Sequence, residues 1–228
     1  MYKGGRVLCH NANFNAVQKA IKSAADEVNR KPREISLVAV SKTQPIDKIE
    51  KLISLGQKVF GENKVQEAKK KWGPLKSKYN KLELHLIGAL QTNKVKDAVS
   101  IFDVIETIDR PKLAVALAKE MTKQSTHLPC YIQVNTGEEK QKAGIYPLET
   151  GDFVDYCRND LSLNIVGLMC IPPANDTPAL HFSLLATIAE RMNLEGLSMG
   201  MSSDYETAIK LGATHIRLGT ALFGKRDL

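Results

Sequence analysis

The feature that most constrains the fold of this chain is an alternation. Short apolar, β-branched runs recur along its length, and each is followed by a stretch with helical spacing. The first run is Ile35–Val40 (ISLVAV). Its unbroken apolar character suits a strand buried on both faces. Ile46, Ile49, Leu52 and Ile53 then recur at helical spacing, and Gly56 stands where a C′ glycine ends a helix. Further strand-like runs fall at Lys58–Gly61, Leu82–Ile87, Phe102–Ile108, Tyr131–Val134, Leu163–Leu168, Leu194–Ser198 and His215–Leu218. Helices are predicted between them: Asn63 to about Tyr79, near Asn93–Val99, from Pro111 through Met121, near Leu148–Cys157, over Pro178–Met192, and from Ser203 to Gly212. Asp109 is a candidate N-cap with Pro111 in the first turn, and Ser203-x-x-Glu206 reads as a capping box.

Eight strands alternating with helices predict a parallel α/β fold, and the count favours a single closed (β/α)8 TIM barrel. An open doubly wound sheet is the alternative, weakened because no G-x-G-x-x-G follows any strand. Ten residues follow the last run, so the final helix of the ring is expected to be short or missing, with the helical segment near Asn13–Val28 filling part of the gap. No repeat, linker or low-complexity stretch divides the chain, and residues 1–228 read as one domain.

Composition removes several classes. Hydrophobic residues make up 43% and charged residues 25%, which argues against collagen-like, disordered and coiled-coil chains. No run of 18 apolar residues offers a membrane span, and the N-terminus lacks a signal-peptide core. Cys9, Cys130, Cys157 and Cys170 form no C-x-x-C pair and read as reduced thiols in a cytoplasmic protein. The local pairs Cys9-His10 and His127-x-x-Cys130 have no second pair at zinc spacing, so no metal is expected. The net charge is +7, and the bursts Lys69-Lys70-Lys71 and Lys76, Lys78, Lys81 read as solvated helix faces rather than a nucleic-acid surface, because no aromatic residues interleave them.

A barrel of this kind does its chemistry at the C-terminal ends of its strands. Lys42 follows the first apolar run, one residue past Ser41; a desolvated lysine there has a lowered pKa and a nucleophilic amine. Met199-Gly200-Met201-Ser202 follows the seventh run and Gly219-Thr220 the eighth, the usual phosphate site of the barrel. Small residues there let backbone N–H groups approach an anion. Arg217 lies two residues before Gly219, on the same side of the strand, and a buried arginine needs a partner, for which a ligand is suitable. His85 lies inside the third run and reads either as a ligand contact or as a satisfied barrel histidine. Gly219–Lys225 matches most of a P-loop, but Arg226 replaces the magnesium-binding hydroxyl, so nucleotide hydrolysis is excluded.

A nucleophilic lysine together with a phosphate site suits a ligand carrying an aldehyde and a phosphate, and pyridoxal 5′-phosphate (PLP) has both. The stretches LVAVSKTQP (37–45), FGENKVQEA (60–68), HLIGALQTNK (85–94), QVNTGEEKQKAG (133–144), GLMCIPP (167–173), LSMGMSSDYETAI (197–209) and THIRLGTALFG (214–224) resemble the pyridoxal phosphate homeostasis protein family, whose fold is like the N-terminal barrel of alanine racemase. The resemblance implies that Lys42 forms a Schiff base with PLP, that Ser202, Gly219 and Thr220 bind its phosphate, and that Arg217 faces the pyridine nitrogen. It also implies that Asn63, His85 and Met201 lie near the ring. The connection from Pro173 to Met192 is shorter than in many relatives, which bears on the size of the helix after strand six.

The implied function is PLP binding in intracellular vitamin B6 and amino-acid homeostasis, by a monomer without efficient catalysis. The expected partners are PLP and apo-enzymes that receive it, with no nucleic acid and no membrane. A PLP-dependent amino-acid racemase and a cofactor-free lysine enzyme acting on a sugar phosphate are the competing readings. Arg217 disfavours a deep quinonoid intermediate, because a guanidinium cannot give the ring nitrogen a proton, and racemases that tolerate an arginine there still need a second base on the opposite face. The second base of such an enzyme would come from a further domain, which is not expected after Leu228.

Overall fold

The structure is a computed structural model that describes the backbone of residues 5–224 and the side chains of residues 11–224. Eight strands pair in parallel and close into a barrel in sequence order: β1 (Ser36–Val40), β2 (Val59–Glu62), β3 (Glu83–Leu86), β4 (Val104–Ile108), β5 (Cys130–Val134), β6 (Ile165–Cys170), β7 (Gly196–Ser198) and β8 (His215–Leu218). Closure is direct, with Ser36 opposite His215 and Val38 opposite Arg217. The open-sheet alternative is thereby excluded.

The outer ring comprises α1 (Gly5–Asp26), α2 (Ile46–Ser54), α3 (Val65–Lys78), α4 (Val95–Ile101), α5 (Pro111–Lys123), α6 (Thr150–Asp155), α7 (Pro178–Arg191), α8 (Tyr205–Lys210) and α9 (Thr220–Phe223). As expected, α9 is a single turn, and α1 packs beside both α8 and α9. Asn13 Nδ2 donates to the Leu222 carbonyl at 3.4 Å, and Arg30 donates to the Ile209 carbonyl at 2.8 Å. The short connection after β6 still forms a full 14-residue α7. Gly56 and Gly212 end their helices with positive φ, as C′ residues do.

Two cap expectations are corrected. The N-cap position of α5 falls on Arg110, and the Asp109 carboxylate pairs with the Arg110 guanidinium instead. Helix α8 starts at Tyr205, one residue too late for a Ser203–Glu206 box; Asp204 turns its carboxylate back onto the Met201 N–H at 2.6 Å.

The main apolar core lies between barrel and helices, where strand residues such as Leu37, Phe60, Leu86, Ile105, Ile132 and Ile216 meet helix residues such as Leu52, Trp72, Leu117 and Phe182. The barrel interior is different. It holds a small apolar cluster of Val104, Tyr131 and Met169, with Val38 and Ile87 also inward, together with the charged and polar side chains of His85, Glu106, Ser198 and Arg217. Gly167 and Gly196 make room for Tyr131, since a Cβ on either would fall within 3 Å of its ring. Cys130, Cys157 and Cys170 are free and buried, and burial pushes the Cys157 and Cys170 thiols up to about 12, so they are inert packing groups. The Cys9 side chain lies outside the described residues, and with it the Cys9-His10 pair; Lys225 and Arg226 also lie outside them.

Candidate functional site at the barrel mouth

A cavity of about 530 Å³ opens at the C-terminal ends of the strands. That size is ordinary for a small-molecule site. Lys42, Asn63, Met201, Ser202, Arg217, Gly219 and Thr220 all line it, and Lys42 is the one lysine among the lining residues. The chain reaches this arrangement by local rules. Lys42 enters after Ser41, just past the end of β1, and is half-buried at the rim. Asn63 is brought to the mouth by Gly88, where a Cβ would come within 2.4 Å of the Asn63 carbonyl oxygen. Gly200 turns the chain out of β7 with φ +92, and its own Cβ would strike Ala208 at 2.6 Å. Ser202 Oγ then accepts a hydrogen bond from the Ala221 N–H at 3.4 Å, which ties the seventh loop to the eighth. At Gly219 a Cβ would make only ordinary contact with Val40 at 3.5 Å, so packing alone does not demand glycine there.

Arg217 links the cavity to the barrel interior. Its guanidinium donates to Ser198 Oγ at 2.6 Å and to the Cys170 carbonyl at 2.8 Å. Ser198 in turn donates to Glu106 at 2.5 Å. The partner anticipated for Arg217 as a ligand is therefore supplied by the protein on one side, while another side faces the cavity.

His85 is not at the mouth. It is 1% exposed, with Nδ1 2.5 Å from Glu106 and Nε2 2.7 Å from Glu83. The period-two pattern gives its inward direction, but its position one layer below Ile87 sets it beneath the cavity. Burial alone would lower the His85 pKa, but Glu106 and Glu83 outweigh it and hold it up to about 9. Burial likewise pushes Glu106 up, and His85, Arg217 and Ser198 outweigh that to hold it down to about 2. Each ring nitrogen of the imidazolium thus donates to one carboxylate, and Glu106 bridges His85 and Arg217.

A second polar group, unanticipated from the sequence, lies behind Lys42 on the outer side of the barrel. Lys71 belongs to a lysine run expected to be solvated, but its amine is buried 2.6 Å from Glu62 and 2.8 Å from Glu67. The same amine donates to the Ser41 carbonyl at 2.8 Å. The Thr43 N–H donates to Glu67 at 2.5 Å, and Thr43 adopts φ +61. A β-branched residue there carries strain of order 1–3 kcal/mol, which the surroundings must impose. Burial raises the Glu67 pKa, and the bonds from Lys71 and Thr43 outweigh it, leaving it lowered. The signal for Lys71 was available: Val65, Ala68, Trp72 and Leu75 form the buried stripe of α3, and position 71 falls on it.

Residues 13–227 match the family described as alanine racemase, N-terminal domain, which is the class that the barrel and its lysine-bearing mouth define. Within it, the chain is 37% identical over 225 residues to the pyridoxal phosphate homeostasis protein of Haemophilus influenzae, covering 94% of this chain and 95% of that one. The chain belongs to the pyridoxal phosphate homeostasis protein family. PipY of Synechococcus elongatus, solved with PLP bound, is 33% identical with a TM-score of 0.77, covering 90% of this chain and all of that one. An alanine racemase of Clostridium difficile shares the fold at 13% identity and a TM-score of 0.71, with the match covering 96% of this chain and 57% of the racemase.

Proposed function

We propose that the barrel mouth binds PLP, held covalently by Lys42, and that the protein serves intracellular vitamin B6 and amino-acid homeostasis as a carrier rather than an efficient catalyst. The observation that carries this reading is one cavity shared by a single lysine, the Arg217 guanidinium, and the hydroxyls of Ser202 and Thr220. That donor set fits the group: an amine for an aldehyde, hydroxyls for a phosphate, and a cation for a ring nitrogen. The names of the relatives and the PLP-bound PipY structure support it. When bound, PLP supplies an electrophilic aldehyde carbon and an electron-withdrawing ring.

The chain's own residues do the rest. Ser202 and Thr220 donate to the phosphate, beside the backbone at Gly219. Arg217 donates to the ring nitrogen and, being protonated throughout the ordinary pH range, keeps its proton. Ser198 Oγ accepts from its guanidinium and the Glu106 carboxylate lies 3.9 Å behind it, which orients the cation toward the cavity. Asn63 and Met201 flank the ring. In this reading residues 1–228 work as one domain, as a monomer in the cytoplasm, and apo-enzymes receive the cargo.

Titrating PLP into the protein and into Lys42→Ala tests the reading. The parent is expected to develop the visible band of a lysine-bound cofactor and the variant none, with unchanged thermal unfolding. A colourless parent, or a full band in Lys42→Ala, contradicts the proposal.

A further inference from the structure

The Lys71 group raises a question that packing does not answer. Helix α3 is already held to β2 by Val65, Ala68, Trp72 and Leu75, all buried. Buried charges are costly to desolvate, and well-packed apolar side chains commonly stabilise a fold as well or better. The group is also not optimised as a staple, because Glu62 Oε2 is buried and has no hydrogen-bond partner among the described residues. What the group does uniquely is grip the chain on both sides of Lys42. Lys71 takes the carbonyl of Ser41, the residue before it. Glu67 takes the N–H of Thr43, the residue after it. Glu62 takes the Ser41 hydroxyl at 2.6 Å and the Trp72 indole N–H at 3.1 Å, which fixes the base of the arrangement to both barrel and helix. Thr43 is held at φ +61, a conformation that a β-branched residue does not adopt by itself.

We infer that Lys71, Glu62 and Glu67 form a positioning clamp that presets the Ser41–Thr43 turn, so that the Lys42 amine is aimed at the cavity before any ligand arrives. The inference rests on the reading of Lys42 as the covalent anchor for PLP. Capture joins Lys42 Nζ to the aldehyde carbon and releases the aldehyde oxygen as water, so its rate depends on how often the free amine stands within bonding reach of a docked aldehyde. None of the three clamp residues lines the cavity. The clamp therefore acts on capture and not on docking.

The test separates those two quantities in Lys71→Met and Glu67→Ala. Capture is the rate at which the visible band of the lysine-bound cofactor grows at saturating PLP, assigned to the Lys42 peptide by borohydride quenching at set times, and docking is the affinity for 4′-deoxypyridoxine 5′-phosphate, which has no aldehyde. Both variants are expected to capture about tenfold or more slowly with docking within about twofold of the parent, because small misplacements of a reacting group are costly in rate. Unchanged capture in both variants overturns the clamp. So does a parallel fall in capture and docking, which would make the group a support of the fold alone. If Lys71→Met does not fold, Glu67→Ala decides, since Glu67 sits partly exposed on the first turn of α3. A parent in which Lys42 is never labelled fails the reading of the site itself, an outcome distinct from a normal parent with unaffected variants.

Discussion

Ser202 stands at the junction of the two loops proposed to hold a phosphate, with its hydroxyl on the Ala221 N–H. Ser202→Ala is expected to weaken PLP binding by about 0.5–1.5 kcal/mol, and by up to about 3 kcal/mol because the acceptor is charged. Isothermal titration should show unphosphorylated pyridoxal binding variant and parent alike. Equal losses for both ligands would make Ser202 a prop of the loop instead. Residue by residue, the sequence was legible where chemistry and position coincide. Lys42 is readable because a charge stands just past an apolar run, and Arg217 because it shares a strand face with Gly219. Of the two readings of His85 the structure shows the satisfied barrel histidine, because alternation gives its inward direction but not its depth along the barrel axis. Lys71 differs from its exposed neighbours Lys69 and Lys70 because the helical stripe, not the lysine run, sets its burial.

The strands meet in a charged interior layer contributed by β3, β4, β7 and β8: His85, Glu106, Ser198 and Arg217. Removing one member strands a charge, so His85→Ala is expected to cost about 3–5 kcal/mol in denaturant unfolding. The pH dependence follows from the shifts. The folded pKa of His85, near 9, exceeds its ordinary 6.5, so its contribution is complete below about 6.5 and is lost as pH rises toward about 9. Glu106 has the opposite sign: its pKa, near 2, lies below the ordinary 4.5, so its contribution is complete above about 4.5 and is lost as pH falls toward 2. Stability measured against pH should therefore decline between about 6.5 and 9 in the parent, and His85→Ala should flatten that limb. An unchanged alkaline limb would show His85 to be neutral in the fold. At this scale the elements themselves were readable, since all eight runs became strands and the boundaries moved by only a residue or two. Two N-caps were not: the Asp109 carboxylate pairs with Arg110, and the N-cap position of α8 falls on Asp204 rather than Ser203, with the Asp204 carboxylate on the Met201 N–H.

As a whole, the molecule is a barrel whose ring is completed by its first helix: α1 closes the gap beside the one-turn α9. The order and spacing of the runs specified that architecture, while the polar interior came only from knowing which layer each inward residue occupies. On the proposed reading of the mouth as a carrier site, with Arg217 held by Ser198, the protein should hold its cofactor rather than turn it over. Deuterium exchange at Cα of alanine in heavy water, with Lys42→Ala as the blank, should stay close to the rate with free PLP. A turnover near the ordinary enzyme median of about 10 s⁻¹ would make the protein a catalyst. The central claim is the identity of the anchor, and mapping it is the most direct measurement. The protein is loaded with PLP, reduced with borohydride, digested, and read by mass spectrometry. The cofactor is expected on the peptide containing Lys42; finding it mainly on Lys64 or Lys94, with Lys42 unmodified, would contradict the account.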